Sequence, residues 1–330
     1  MILANVFRTG SRQAAPALYL LLLLLWPTGC FSEQSADSPN APPLATPTTP
    51  VLPGVVAVIN TPETTVVVPP SQEPVPAPEA ASGCEGAGEV VTGTFTSVVA
   101  GREQPYRLYL PPCYGEHDRR WPTLWLLHGN TRGAEEWEEL GVVESADFLI
   151  TTGQIAPLII VMPDGRPLSD TTSGGPWSYE AVIMQELIPW IEQAWCADPR
   201  PQQRAIGGIS RGGYWALQIA FRHPQAFVSA GGHSAALLDI SPDPTINPVW
   251  TGVSADLGTL RLWFDYGAND GYQHTTRHLH DHFSATGFSH IWQIHPTGGH
   301  TDDYWRSRLP DYLIWYNAGY AADAEPLPCR

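Results

Sequence analysis

The chain has 330 residues with a formal net charge of -16, a balance that argues against binding nucleic acid, whose phosphates need a basic face. All seventeen basic residues are arginine. With no lysine amine, a pyridoxal Schiff base, a Walker-A phosphate loop, a kinase lysine and a Ser-Lys dyad are all excluded. In chain order, Arg8 and Arg12 precede the apolar run "ALYLLLLLLW" at residues 17–26, which is short for a membrane span and suited to a signal peptide. "PTGC" follows and resembles a bacterial lipobox, making Cys30 the expected lipidated N-terminus, although Pro27 stands where an aliphatic residue is usual. Simple secretion and a retained anchor are the alternatives. Residues 1–29 are therefore read as a signal peptide, and residues 30–83, rich in Pro and Thr, as an extended tether.

Residues 84–330 form the expected catalytic domain. "EVVTGTFTSVVAG" and "QPYRLYLPP" read as two antiparallel strands. Strands and helices then alternate. "TLWLLHG" is a strand, "GAEEWEELGVVESADFLIT" a helix, "PLIIVMPDG" a strand and "YEAVIMQELIPWIEQAW" an amphipathic helix. "QRAIGGIS", "AFVSAGGHS", "TLRLWFDYG" and "SHIWQIHP" are further strands. "RGGYWALQIAFRHP", "GYQHTTRHLHDHFSATG" and "DDYWRSRLPDYLIWYNAG" are helices, the last containing Pro310. Residues 235–258 read as a long irregular insertion. This alternation predicts an α/β fold, a mostly parallel sheet covered by helices on both faces.

Four cysteines remain beyond Cys30: Cys84, Cys113, Cys196 and Cys329. An even number in an exported chain suggests two disulfides. Three connectivities are open; Cys84 and Cys113 flank the first strands while Cys196 and Cys329 follow helical segments, which favours those two pairs. No two cysteines have metal-ligand spacing. His274, His278 and His282 fall at i, i+4, i+8 and read as a solvated helix face rather than a metal stripe. No metal or cofactor is expected.

In a parallel sheet, ligands bind beyond the carboxyl ends of the strands, so the residues that follow each strand carry the chemistry. Gly208-Ile209-Ser210-Arg211-Gly212 is a G-x-S-x-G nucleophile elbow. Asp270 follows "LRLWFDYG" and His300 follows "HIWQIHPTGG". A serine hydroxyl is a weak nucleophile unless a base removes its proton; His300 is the expected base and Asp270 its orienting acid. Asp265 competes for that role but lies inside its strand. The backbone N–H groups of Arg211 and Asn130 are the expected oxyanion donors. The Arg211 side chain could hold a substrate carboxylate or cover the helix start. His128 is expected to brace the oxyanion loop, and His290 and His295 to be packed or exposed. His233 ends a strand near the site. Trp137, Trp177 and Trp250, among thirteen tryptophans, lie in segments that follow strands and could stack on a sugar or aryl group. These four are candidate substrate contacts.

The motifs "YRLYLPPCY", "WPTLWLLHGN", "VMPDG", "ELIPWIEQ", "RAIGGISRGGYWALQIAFRHPQAF", "YGANDG" and "GGHTDDYWRSRLPDYL", in that order, resemble the esterase D-like branch of the α/β-hydrolases. The resemblance spans about residues 90–317 and implies an α/β-hydrolase fold with Ser210, Asp270 and His300 in the triad positions. It implies a serine carboxylesterase acting on a small-molecule or carbohydrate ester, without cofactor. Members include feruloyl, acetylxylan and enterochelin esterases, S-formylglutathione hydrolases and mycolyl transferases. Arg211 departs from the methionine common after the nucleophile. An acyltransferase with the same triad and a non-catalytic binding protein are the alternatives, and membrane contact is expected only through a lipid anchor.

Overall fold

The computed structural model describes residues 84–237 and 243–329. The expected signal peptide, Cys30, the expected tether up to residue 83 and positions 238–242 of the insertion lie outside the described residues. Among them an eight-stranded sheet runs β1 (Glu89–Ser97), β2 (Arg102–Leu110), β3 (Thr123–Leu127), β4 (Ile159–Pro163), β5 (Arg204–Ile209), β6 (Ser229–His233), β7 (Arg261–Gly267) and β8 (Ile291–His295). Its spatial order is β1-β2-β4-β3-β5-β6-β7-β8. β2 is antiparallel to β1 and β4, and every other pair is parallel. This is the α/β-hydrolase architecture that the sequence implied.

Burial explains the unbroken apolar runs. β3 and β4 are buried at every position because helices cover both faces of the sheet. Alternate residues enter opposite cores. Trp125 and Leu127 pack with Tyr214, Trp215 and Leu217 on one face, while Leu124 and Leu126 pack with Trp137, Leu149, Tyr312 and Leu313 on the other. At the edge, β8 leaves Ile291 and Gln293 exposed.

Three elements differ in detail from the sequence reading. The helix expected from Gly133 onward is two, Glu136–Glu139 and Val142–Thr151, because Gly141 adopts φ +91° between them. The amphipathic helix beginning at Tyr179 widens to a π turn over Val182–Leu187 before resuming at Ile188–Ala194. Pro189 lacks an N–H and its ring crowds the carbonyl four residues back, so the regular α ladder cannot pass through it. Part of the insertion expected to be irregular is a helix, Pro248–Ser254, started by Pro248 and by the Asn247 side chain accepting the Val249 N–H at 2.9 Å. Pro310 lies inside the last helix, Asp302–Asn317, as expected.

The favoured cysteine pairing holds. Cys84–Cys113 joins the chain before β1 to the loop after β2, and Cys196–Cys329 joins the end of the Ile188–Ala194 helix to the C-terminal tail. No helix among the described residues is long and apolar enough to cross a membrane.

Glu180 ties the loop at Gly175 to the last turns of the helix Arg211–Arg222. Its buried carboxylate accepts the Gly175 N–H, Gln218 Nε2, Arg222 Nε and His223 Nε2, all within 2.9 Å. Burial alone would raise its pKa, but the bonds from His223, Arg222, Gly175 and Gln218 outweigh it and bring the carboxyl from 4.5 down to about 2. A depressed folded-state pKa contributes stability above the unfolded value, lost as pH falls through the folded one. Glu180→Gln should therefore lower the urea midpoint at pH 7 and flatten its decline between about pH 4.5 and pH 2 relative to wild type. An unchanged slope in that window would contradict the assignment.

Candidate active site

β5 ends at Ile209 and the helix Arg211–Arg222 begins two residues later, leaving Ser210 alone to make the turn. Ser210 does so at φ +56°, ψ -118°. The turn is tight enough to dictate its neighbours. A Cβ on Gly208 would lie 2.3 Å from the Gly212 backbone, and one on Gly212 would lie 2.1 Å from the Leu127 carbonyl oxygen. The Ser210 N–H donates to the His233 carbonyl at 3.0 Å, and the Ser210 carbonyl accepts from Ala236 at 3.0 Å. The side chain is thus aimed by a backbone fixed on both sides.

Ser210 Oγ lies 2.8 Å from His300 Nε2, and His300 Nδ1 lies 3.2 Å from Asp270 Oδ2. The Asp270 carboxylate is buried, while His300 keeps 27% of its side chain exposed. Burial would raise the Asp270 pKa. Bonds from His300, the Ser234 hydroxyl and the Tyr272 N–H prevail and hold it below the usual carboxylate range, so it stays ionised. Asp265 is not a rival. It lies wholly buried within β7, bonded to His233 Nδ1 at 2.6 Å and to the hydroxyls of Tyr304 and Tyr312 at 2.6 and 2.8 Å.

The loop after β3 brings Asn130 to the same place. His128 is buried, its Nδ1–H donating to the Gly129 carbonyl at 2.7 Å and its Nε2 accepting the Gly165 N–H at 2.8 Å. Burial holds the imidazole pKa down, which keeps it in the neutral form that acceptance requires. The Gly129 N–H donates to the buried Glu136 carboxylate at 2.5 Å, and the Thr131 N–H to Asp170 Oδ1 at 3.3 Å. Among the described residues, none accepts from the N–H of Asn130 or of Arg211, the first residue of its helix.

A cleft of about 280 Å³ opens above Ser210, bounded by Asn130, Ala236, Tyr272, Arg211 and the segment Asp170 to Ser173. That segment is held from the elbow helix. Arg211 Nε and Trp215 Nε1 donate to the Ser169 carbonyl at 3.1 and 2.9 Å, Arg211 Nη2 to that of Thr172, and Tyr214 Oη to that of Ser173 at 2.8 Å. The Arg211 side chain thus does more than cover the helix start: it braces that segment, and its guanidinium lies 4.3 Å over the Tyr214 ring. A larger groove of about 480 Å³ lies by Gly258–Leu262 and Gly287–Ile291. It sits where β7 and β8 begin, at the opposite end of those strands from Asp270.

The expected substrate contacts divide. Trp137 is a correction: it is 1% exposed and donates its indole N–H to the Leu127 carbonyl, because the short helix carrying it folds back under the sheet. His233 is another. It is wholly buried, between Asp265 and the Tyr316 hydroxyl and stacked 3.6 Å from Tyr312, since its strand position points it into the core. Trp177 and Trp250 are 71% and 48% exposed, but neither bounds the cleft around Ser210. His274 precedes the helix Arg277–Thr286, so the three histidines do not share one helix face; His278 packs against Trp250. Tyr272 does bound the cleft, its ring centroid 4.7 Å from that of His300. It stands two residues beyond Asp270 in the same loop, the only signal the sequence held for it.

The family model described as "Putative esterase" matches residues 97–316. Esterase Rv1288 of Mycobacterium tuberculosis is 32% identical over 149 residues, 42% of this chain and 31% of that protein. The endo-1,4-beta-xylanase/feruloyl esterase of Xylanibacter ruminicola is 33% identical over 150 residues, 42% of this chain and 20% of that protein. The chain thus spans less than a third of these curated relatives. A solved ferulic acid esterase superposes with a TM-score of 0.64 at 26% identity, covering 71% of this chain and 99% of that one. An S-formylglutathione hydrolase from Staphylococcus aureus, at 18% identity and a TM-score of 0.60, shares the fold.

Proposed function

The chain belongs to the esterase family whose model spans residues 97–316, and from that premise we propose that it hydrolyses carboxylic esters through an acyl-enzyme on Ser210. The observation that carries the reading is the 2.8 Å contact of Ser210 Oγ with His300 Nε2, backed by Asp270 on the far ring nitrogen. His300 takes the hydroxyl proton as Oγ attacks the ester carbonyl, and Asp270 stabilises the imidazolium. The tetrahedral oxyanion is received by the N–H groups of Asn130 and Arg211. His300 then protonates the departing alkoxide, and a water, deprotonated by the same ring, releases the acid and restores Ser210.

Aryl or carbohydrate esters are the proposed substrates. The polar wall at Asp170 to Ser173 suits hydroxylated groups, Tyr272 offers an aromatic face, and two of the similar proteins are feruloyl or ferulic acid esterases. A panel of acetyl, butyryl, feruloyl and long-chain esters should rank feruloyl or acetylated sugar esters highest by kcat/KM. Preference for long acyl chains would overturn the substrate reading.

The domain is proposed to work outside the cytoplasm, tethered by residues 30–83 to a lipidated Cys30. Two disulfides fit an oxidising compartment. Cys30→Ser should move the protein from the membrane fraction to the medium or periplasm; an unmodified N-terminus found elsewhere by mass spectrometry would favour simple secretion.

A further inference from the structure

Among the described residues, three besides glycine adopt a positive φ: Thr131, Ser210 and Ser234. All three stand just beyond strand ends at the carboxyl edge of the sheet, after β3, β5 and β6. Thr131 belongs to the oxyanion loop and Ser210 is the nucleophile. Ser234 has no part in the proposed reaction so far, yet it follows "GGH" at φ +50°, where glycine would sit without strain. A left-handed non-glycine residue costs about 1 kcal/mol and persists where its side chain is needed.

The hydroxyl of Ser234 is wholly buried and has one proton and two lone pairs. Trp305 Nε1 donates to it at 3.0 Å, which commits a lone pair and leaves the proton for another acceptor. The Ser234 hydroxyl is among the groups that hold the Asp270 carboxyl below the usual carboxylate range, which points to that carboxylate as the proton's acceptor. The Ser234 backbone cannot drift, because its N–H is held by the Asp265 carbonyl at 2.8 Å. The Trp305 ring, 5% exposed, also meets the His300 ring edge-on, with centroids 5.0 Å apart. Ser234 is thus bonded to the indole that packs on His300, the ring that in turn bonds Asp270.

We propose that Ser234 and Trp305 are positioning residues for the triad, Trp305 orienting the Ser234 hydroxyl so that its proton fixes the Asp270 carboxylate in line with His300. This rests on the reading of Ser210, His300 and Asp270 as the triad. Without the hydroxyl, Asp270 keeps the Tyr272 N–H on Oδ1 at 2.8 Å and the long 3.2 Å bond to His300 on Oδ2, and it can rotate about its side chain. Ester binding does not involve Ser234, so the loss falls on the chemical step.

Ser234→Gly tests this sharply, because it removes the hydroxyl and the strain together. The expected result is kcat about 10- to 100-fold lower, the worth of one hydrogen bond to a buried charge, with KM within about twofold of wild type and thermal stability unchanged or raised. Ser234→Ala, which keeps the strain, should show the same kcat at a lower melting temperature. Trp305→Phe keeps the ring against His300 and should lower kcat less. Ser234→Gly/Trp305→Phe should be no slower than Ser234→Gly alone, since the indole acts through the hydroxyl. Rates are expressed per site labelled by a fluorophosphonate, so misfolded protein does not count. Wild-type kcat in Ser234→Gly, or a multiplicative double variant, would overturn the proposal. Ser210→Ala in the same series separates the two readings. An inactive Ser210→Ala beside a fully active Ser234→Gly removes only the positioning role, whereas an active Ser210→Ala removes the triad itself.

Discussion

Replacing Ser210 by alanine is expected to lower kcat for ester hydrolysis by about 10⁴- to 10⁶-fold while leaving the fold intact. Only the Oγ is lost, and with it the atom 2.8 Å from His300 Nε2. Alanine carries the same Cβ through the elbow at φ +56°, so the turn is no more strained than before. The backbone donors at Asn130 and Arg211 remain and should sustain a residual rate, with water attacking in place of the serine. Fluorophosphonate labelling followed by peptide mapping should find Ser210 in the wild type and nothing in the variant. Labelling at another residue, or activity within tenfold of wild type, would overturn the assignment of the nucleophile.

Gly212→Ala is expected to be among the most damaging additions of a single methyl group at the described glycines. Its Cβ would lie 2.1 Å from the Leu127 carbonyl oxygen and 2.6 Å from that of His128. Both are backbone atoms of the strand and loop that carry Asn130, a proposed oxyanion donor, and neither can rotate away. The helix Arg211–Arg222 must retreat from β3. That separates Ser210 and the Arg211 N–H from Asn130 while opening the core where Tyr214, Trp215 and Leu217 pack. A loss of about 3 kcal/mol or more in urea denaturation is expected, with kcat/KM falling about 100-fold or further in whatever fraction folds. Gly271→Ala is the control. It adds a methyl group next to Asp270 where nothing lies within 4 Å, and it should change stability by less than about 0.5 kcal/mol. Equal effects at the two positions would contradict the close approach of strand and helix.

The order of strands and helices, the elbow and the identity of the residues at the strand ends are legible along the chain. These are matters of periodicity and spacing. A buried parallel strand must be apolar on both faces, and a strand that turns at once into a helix must have glycines two residues either side of the turn, as at Gly208 and Gly212. The lack of lysine and the even cysteine count narrowed the chemistry before any fold was known.

Which side chains share a face and a depth is set by how the elements pack. Trp137 and His233 follow or end strands just as Asn130 and Asp270 do, and nothing in their spacing says that they turn into the core. Asp265 and Asp270 are five residues apart, yet one faces a cluster of tyrosines and the other faces His300. The bond from Trp305 to Ser234 joins positions 71 residues apart and exists only once the last helix has docked against β6. Hydrophobic periodicity is a property of neighbours along the chain. Hydrogen bonds to a buried carboxylate are set by which of its surroundings have a donor left over after packing, and that is settled by the fold as a whole.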